Sequence, residues 1–316
     1  MGFLEAGVVR RAAFEFGSGS IRVQVADVDT ETGAILRTVH SESALVRLSD
    51  DLITQSDKKF SKEIQDTAIN IAKKLKERAI ELNAKEFQGI ATEAYRVASN
   101  GELLTGRYSE ELGVPVTVIS QEEEGRLGFL ALVSEYNLDP FKILCWDTGG
   151  GSLQISYMEE NGEMKVYKAP LGISTTKSAV RHIKKEASTL NPLSQEESQL
   201  AFEHLKSLLP GAPKELLEKL KQKDAKLIAI CAHPATLKSL GTYTLEDVEK
   251  AIINSLDKTD EDLILENQKP FDSTQLLLVK AIMQTIDADE VTYLSTSNGS
   301  TQSLLTLKDY WYTQIN

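Results

Sequence analysis

The chain has 316 residues, 41% of them hydrophobic, and a formal net charge of −12. That length accommodates roughly two domains with substantial cores, and the acidic balance argues against generic nucleic-acid binding. A polyanionic ligand would have to be met by local basic residues or by a cation.

In chain order, residues 11–48 read as strands, with Ala34-Ile-Leu-Arg-Thr-Val-His40 following the turn at Glu31-Thr-Gly33. Ser56 is placed to cap a long helix whose apolar stripe is Phe60, Ile64, Ala68, Ile71, Leu75, Ala79 and Leu82, a core face by its 3.6-residue spacing. Phe87–Ala91 and Val114–Ile119 read as strands, and Ser120 as the cap of a helix opening Gln121-Glu122-Glu123-Glu124. A strand follows at 143–146, another at 153–157 and a further extended run at 166–172. Helices are expected near 174–187, 194–209 (Ser194 as cap), 213–222, 246–256 and 273–287. Strands are expected at 226–231 and 290–295, and a last helix from about 299. Alternation of strands and helices implies an α/β architecture with mixed sheets. No low-complexity linker is visible, so the expected division is 1–125 and 126–316, joined through the helix after Ser120.

No stretch approaches the ~20 apolar residues of a membrane span, and the opening Met1–Gly7 lacks a signal-peptide core. Cys145 and Cys231 lie in apolar, strand-like runs, which suits buried thiols in a reducing compartment. The expectation is a soluble cytoplasmic protein, with a homodimer as the default oligomer.

The most informative stretch is Lys142-Ile-Leu-Cys-Trp-Asp147-Thr-Gly149-Gly150-Gly151-Ser152-Leu-Gln154-Ile-Ser156. An apolar strand delivers Asp147 to a glycine turn, and a second strand leaves it. Glycines without Cβ allow close approach to backbone N–H groups, which together make an anion-binding concavity. A carboxylate beside such a turn suits a hydrated divalent cation. The alternative is a hairpin loop with a capping Asp. A dinucleotide fingerprint would need a helix after the loop, and a P-loop would need Gly-Lys-Ser/Thr. The same device occurs earlier as Glu15-Phe-Gly17-Ser18-Gly19-Ser20-Ile-Arg22. Glu15 aligns with Asp147, Gly17 with Gly149, Gly19 with Gly151 and Ser20 with Ser152. Matching loops so far apart suggest a duplicated unit that would hold a chain of phosphates with two loops.

One of Glu122, Glu123 and Glu124 could position or deprotonate a water, although acids in a first helical turn also simply complement the helix dipole. Arg22 and Arg96 could clamp phosphate oxygens or could be surface ion pairs. The histidines His40, His182, His204 and His233 lack metal-ligand spacing and read as surface or satisfied core residues.

Taken together, four ordered motifs resemble the exopolyphosphatase / guanosine pentaphosphate phosphohydrolase family of the actin-like ATPase superfamily. They are Glu15–Arg22, Ala91-Thr-Glu-Ala-Tyr-Arg96-Val-Ala-Ser-Asn100, Val118-Ile-Ser-Gln-Glu-Glu-Glu124-Gly-Arg126-Leu127, and Asp147–Ser152. The resemblance implies two ribonuclease H-like domains with the active site in the cleft separating them, in the short form of the family. It implies Glu124 as the catalytic glutamate that activates water. Asp147 would support Mg2+ or another divalent cation with Glu15. The residues Gly17, Ser18, Gly19, Ser20, Arg22, Arg96, Gly149, Gly150, Gly151 and Ser152 would bind phosphate. The implied substrate is inorganic polyphosphate or guanosine pentaphosphate. The chain departs from the family pattern at Glu15 (usually Asp), Gly19 (usually Asn) and Gln154 (usually a carboxylate). It departs again at His233-Pro234-Ala235-Thr236, in place of a glycine–threonine turn, and at Gly299–Ser303, in place of Gly-Leu-Arg-Glu-Gly. These changes support a second expectation, a catalytically weak regulatory protein that binds nucleotide or polyphosphate. A sugar- or acetate-kinase-like activity fits the Glu-Glu-Glu-Gly-Arg motif less well.

Overall fold

The computed structural model describes residues 7–185, 189–230, 233–296 and 299–312. These fall into two compact units, one from the described residues of Met1–Ala131 and Ser297–Asn316, the other Leu132–Thr296.

The first unit runs β1 (Val8–Phe16), β2 (Ser20–Asp29), β3 (Ile35–Leu45), α1 (Leu48–Thr54), α2 (Lys62–Glu81), β4 (Glu86–Ala91), α3 (Glu93–Val97), α4 (Gly101–Leu112), β5 (Val116–Val118) and α5 (Gln121–Tyr136), whose last residues enter the second unit. Its sheet order is β3-β2-β1-β4-β5. The first three strands form an antiparallel meander, and β4 and β5 run parallel to β1. Phe14, Phe16, Val23 and Val25 share one core cluster with Ala68, Ala72, Leu75 and Ala79 of α2. Ala13, Ala26, Val28 and Ile90 share a second cluster with Leu127 of α5.

The sequence places the start of α2 too early. Ser61, not Ser56, is the cap: its Oγ accepts from Ile64 N–H at 3.2 Å and donates to Asp51 Oδ1 at 2.7 Å. Residues before it form the short helix α1, which has only about two turns of pattern to announce it. Ala68, Leu75 and Ala79 are buried as expected, with Ile64, Ile71 and Leu82 partly buried beside them.

The second unit runs β6 (Ile143–Thr148), β7 (Leu153–Met158), β8 (Met164–Ala169), α6 (Ile173–Ile183), α7 (Gln195–Leu208), α8 (Lys214–Leu220), β9 (Lys226–Ala229), α9 (Ala235–Leu240), β10 (Thr242–Thr244), α10 (Leu245–Ser255), α11 (Asp260–Leu265), α12 (Asp272–Thr285) and β11 (Glu290–Tyr293). Its sheet order is β10-β11-β9-β6-β7-β8. Here too the first three strands are an antiparallel meander, with β9 parallel to β6 and β11 parallel to β9. The two sheets therefore repeat one topology, and β10 is an added antiparallel edge in the second. Ser194 caps α7 as expected, in a reciprocal box with Glu197. Helices α9 and α11, of six residues each, are too short for a periodic signal. Cys145 is a buried free thiol, and Cys231 lies outside the described residues.

The chain then forms α13 (Ser300–Thr306) and α14 (Asp309–Tyr312). The division at 1–125 and 126–316 is corrected here, because these last helices belong to the first unit. Leu304 and Leu305 are fully buried against Ala13, Ala26 and Val28. Each such burial is worth roughly 1.5–3 kcal/mol. Ser303 Oγ also donates to Leu127 O at 2.7 Å, and Thr301 Oγ1 to Gln24 Oε1 at 3.0 Å. Sequence proximity suggested the second unit, but buried leucines decide for the first.

One ion-pair cluster ties the meander of the first unit together. Asp27 on β2 is 5% exposed and accepts from Arg10 on β1 (2.6 and 3.1 Å) and Arg37 on β3 (3.1 and 2.8 Å). Burial alone would raise its pKa, but the two guanidiniums outweigh that and hold it below the ordinary aspartate range. A carboxylate depressed in the folded state stabilises at neutral pH, and the contribution disappears as pH falls through the folded pKa. Asp27→Asn is expected to cost about 1–2 kcal/mol at pH 7, limited by the exposure of Arg37. In melting curves taken as a pH series, the gap to wild type should close below the ordinary value of about 3.9. A gap that persisted unchanged at low pH would contradict the assignment.

Candidate functional site

In the first unit, three connections leave the carboxyl ends of the parallel strands β1, β4 and β5, the usual place for ligands in open α/β sheets. After β1 comes the glycine loop. Gly17 N–H closes it onto Ser20 O at 2.9 Å, while the Gly19 carbonyl accepts from Val46 and Arg47 N–H and the Ser18 carbonyl from Ser49 N–H. The carbonyls thus turn toward the segment after β3. No intrachain acceptor takes the N–H of Ser18 or Gly19 among the described residues.

After β4 comes α3. Ser18 Oγ donates to Glu93 Oε2 at 2.9 Å and accepts from Ala94 N–H at 3.1 Å, so the loop is bolted to the first turn of α3. Tyr95 anchors that helix in the core: its ring packs edge-on to Phe16 and Phe60, and its hydroxyl lies 2.9 Å from that of Tyr108. Burial pushes both phenols up, so both stay neutral and one donates to the other. With Tyr95 fixed, Arg96 donates to Ile119 O and to Glu124 Oε2, both at 2.8 Å.

After β5 comes α5, and the structure separates its three glutamates. Glu122 is exposed. Glu123 accepts from Arg126 Nε and Nη2, each at 2.6 Å, and from the Tyr310 hydroxyl at 2.6 Å. Burial acts to raise its pKa, yet these partners hold it below the ordinary range. Glu124 is 9% exposed and is the one paired with Arg96. Ser18, Arg96 and Glu124 are therefore linked through a single short helix.

Glu15 and Arg22 face each other across β1 and β2, with Arg22 Nη1 3.4 Å from Glu15 Oε2. Gly299 presses on this pair. At φ +53°, a Cβ there would sit 2.7 Å from Arg22 Nη1. The replaced stretch Gly299–Ser303 thus acts within the first unit as a brace on Arg22 and, through Thr301, on β2.

The second unit repeats the loop. Gly149 N–H closes onto Ser152 O at 2.9 Å, the same bond at the same length as Gly17 to Ser20. The carbonyls of Gly149 and Gly150 accept from Ile173 N–H at 3.1 Å and Ser174 N–H at 2.7 Å, again from the segment after the third strand. Among the described residues, no intrachain acceptor takes the N–H of Gly150 or Gly151. Asp147 lies across from Gln154 in register, as Glu15 lies across from Arg22. Cross-strand partners share a sheet face. Gln154 is 1% exposed; its Nε2 donates to Ser152 Oγ at 3.1 Å, and its Oε1 is buried without a hydrogen-bond partner.

His233 is buried among the rings of Trp146, Tyr243 and Tyr293, with Nε2 2.6 Å from the Tyr243 hydroxyl. It is a satisfied core histidine, as its lack of ligand spacing suggested. Among the described residues no three His, Cys, Asp or Glu side chains converge as a metal cluster.

Sequence reasoning missed Glu93, Arg47 and the Gly172–Ser174 segment. Gly172 is wedged so tightly that a Cβ would meet Gly149 O and Gly150 O at 2.6 Å. The available signal was the parallel placement of Val46–Ser49 and Gly172–Ser174 after the third strand of each unit.

Two mixed sheets of one topology, each with a glycine turn after its first strand, define the sugar kinase/actin-like fold. Solved structures share it. A Ppx/GppA family member from Aquifex aeolicus has a TM-score of 0.70 at 19% identity, over 95% of this chain and 97% of that one. An exopolyphosphatase from Cytophaga hutchinsonii has a TM-score of 0.70 at 16% identity, over 94% and 97%. Residues 25–292 match the Ppx/GppA phosphatase family, and the chain belongs to it. Exopolyphosphatase 1 of Mycobacterium tuberculosis is 32% identical over 165 residues, which are 52% of this chain and 46% of that protein. The match thus spans about half the length of this curated relative. No helix among the described residues is long and apolar enough to cross a membrane.

Proposed function

We propose that the protein is a phosphohydrolase that releases terminal phosphate from a phosphoanhydride chain, inorganic polyphosphate or guanosine pentaphosphate. The observation that carries this is the Arg96–Glu124 pair joined through α3 to the first glycine loop. The likeness to a relative named exopolyphosphatase favours polyphosphate. Loop N–H groups and Arg96 bind the phosphate oxygens, and the Glu124 carboxylate takes the proton of a water attacking the terminal phosphorus in line. Arg96 holds Glu124 in one orientation until phosphate competes for the guanidinium. Amides fixed by the loop's own hydrogen bonds need little reorganisation as negative charge shifts toward the leaving oxygen.

The donors at Asp147 fit a hard divalent cation: a carboxylate and, on the same face, the unpartnered amide oxygen of Gln154. A magnesium ion held there would neutralise phosphate charge and act as a Lewis acid. In the first unit, Glu15 is engaged by Arg22, whose Nη1 lies 3.4 Å from Glu15 Oε2. A regulatory protein that binds phosphoanhydrides with weak turnover is the second reading, favoured by the neutral Gln154 and the engaged Glu15. We assign either activity to the cytoplasm.

Phosphate release from long-chain polyphosphate and from guanosine pentaphosphate, with and without magnesium, tests the proposal. Magnesium-dependent release is expected, faster from polyphosphate. Binding without release over hours would instead establish the regulatory reading.

A further inference from the structure

We infer that Arg47 is a further substrate-binding residue, its guanidinium meeting phosphate oxygens held at the Gly17–Gly19 loop. The inference rests on the phosphoanhydride reading above.

Arg47 lies between β3 and α1 in the left-handed region, at φ 56° and ψ 43°. A non-glycine residue there is uncommon and costly, and glycine or asparagine is the usual occupant. Among the described residues eight non-glycine positions have positive φ, and five are Asn or Asp, which tolerate that conformation through local hydrogen bonds. Of the three cationic exceptions, Arg47, Lys58 and Lys185, Arg47 has its own N–H on the glycine loop, donating to Gly19 O at 3.1 Å. Its neighbours Val46 and Leu48 are buried, while Arg47 is exposed and makes no side-chain hydrogen bond or ion pair among the described residues. Turning the chain from β3 into α1 requires the conformation but not the side chain, since glycine would serve at less cost. Strained non-glycine residues gather at ligand clamps. An arginine kept there, one backbone hydrogen bond from a loop whose Ser18 and Gly19 N–H groups have no intrachain acceptor among the described residues, adds a cation to a chain whose net charge of −12 works against a polyanion.

Calorimetric binding of inorganic tripolyphosphate to wild type, Arg47→Gly and Arg47→Gln, with a melting temperature for each, decides the matter. Arg47→Gly relaxes the backbone, so its melting temperature should hold or rise while affinity falls about 10–100-fold, the worth of a charge-assisted pair. Arg47→Gln keeps the strain and loses the charge, so affinity should fall similarly with stability unchanged. If wild type binds and both variants bind as tightly, the Arg47 assignment fails alone. If either variant melts lower yet its folded fraction binds as wild type does, the residue is structural and the inference is overturned. If wild type binds no tripolyphosphate and releases no phosphate from any substrate, the functional reading fails with it.

Discussion

Glu124→Gln is expected to lower the rate of phosphate release by about 10²–10⁴-fold while leaving the protein folded, the usual contribution of a positioned general base. The glutamine carbonyl can still accept from Arg96, and Arg96 keeps Ile119 O at 2.8 Å, so the interaction changes from ionic to neutral instead of vanishing. The stability cost should therefore be about 1–2 kcal/mol, a few degrees in melting temperature. KM should move little, because the substituted group acts on the water. Glu123→Gln, one residue earlier, is the internal control. Its carboxylate serves Arg126 and Tyr310, so that variant should lose stability and keep its turnover number. Steady-state kinetics on both variants, with melting curves, separates the roles. Retention of activity in Glu124→Gln, or equal loss in both, would remove Glu124 from the chemistry.

Gly172→Ala is the second large expected effect, and it acts by crowding alone. At φ −155° the backbone accepts any residue, but the added Cβ would lie 2.6 Å from Gly149 O and Gly150 O and 2.7 Å from Gly150 C. All three are backbone atoms, so no side chain can swing aside. The loop and the start of α6 must separate, straining the bonds from Ile173 and Ser174 that aim the loop. Overpacking of this kind costs about 1–3 kcal/mol, and misplacement approaching 1 Å near a reacting group costs about 10²-fold in rate. Gly106→Ala in α4 has open space around the new Cβ and should be neutral or stabilising by about 0.5–1 kcal/mol. Wild-type kinetics in Gly172→Ala would mean that the loop adapts freely and is no preorganised cradle.

The site was legible where chemistry is local. Asp147–Ser152 and Glu15–Arg22 announce themselves because a strand, an acid and a glycine turn are contiguous, and their duplication reappears as matching hydrogen bonds. Helix α7 was legible because its buried residues recur at helical spacing, whereas α12 is buried almost all round and shows its length and apolar content instead of a stripe. Choosing Glu124 from three successive glutamates required knowing what Arg96, Arg126 and Tyr310 reach, which are contacts across up to 187 positions. The place of α13 was hidden for the same reason, since nothing near Leu304 and Leu305 names Ala13 and Ala26 as their partners. Arg47 escaped notice because a left-handed arginine carries no sequence mark.

The return of α13 to the first unit has a bearing on biosynthesis. Leu132–Thr296 is contiguous and can fold as soon as it leaves the ribosome, whereas the surface of Ala13, Ala26, Val28 and Leu127 waits for Leu304 and Leu305. At about 5–20 residues per second, that surface stays uncovered on the order of ten seconds. That interval is the time in which the first unit can bury the surface elsewhere, and the synthesis of α13 ends it.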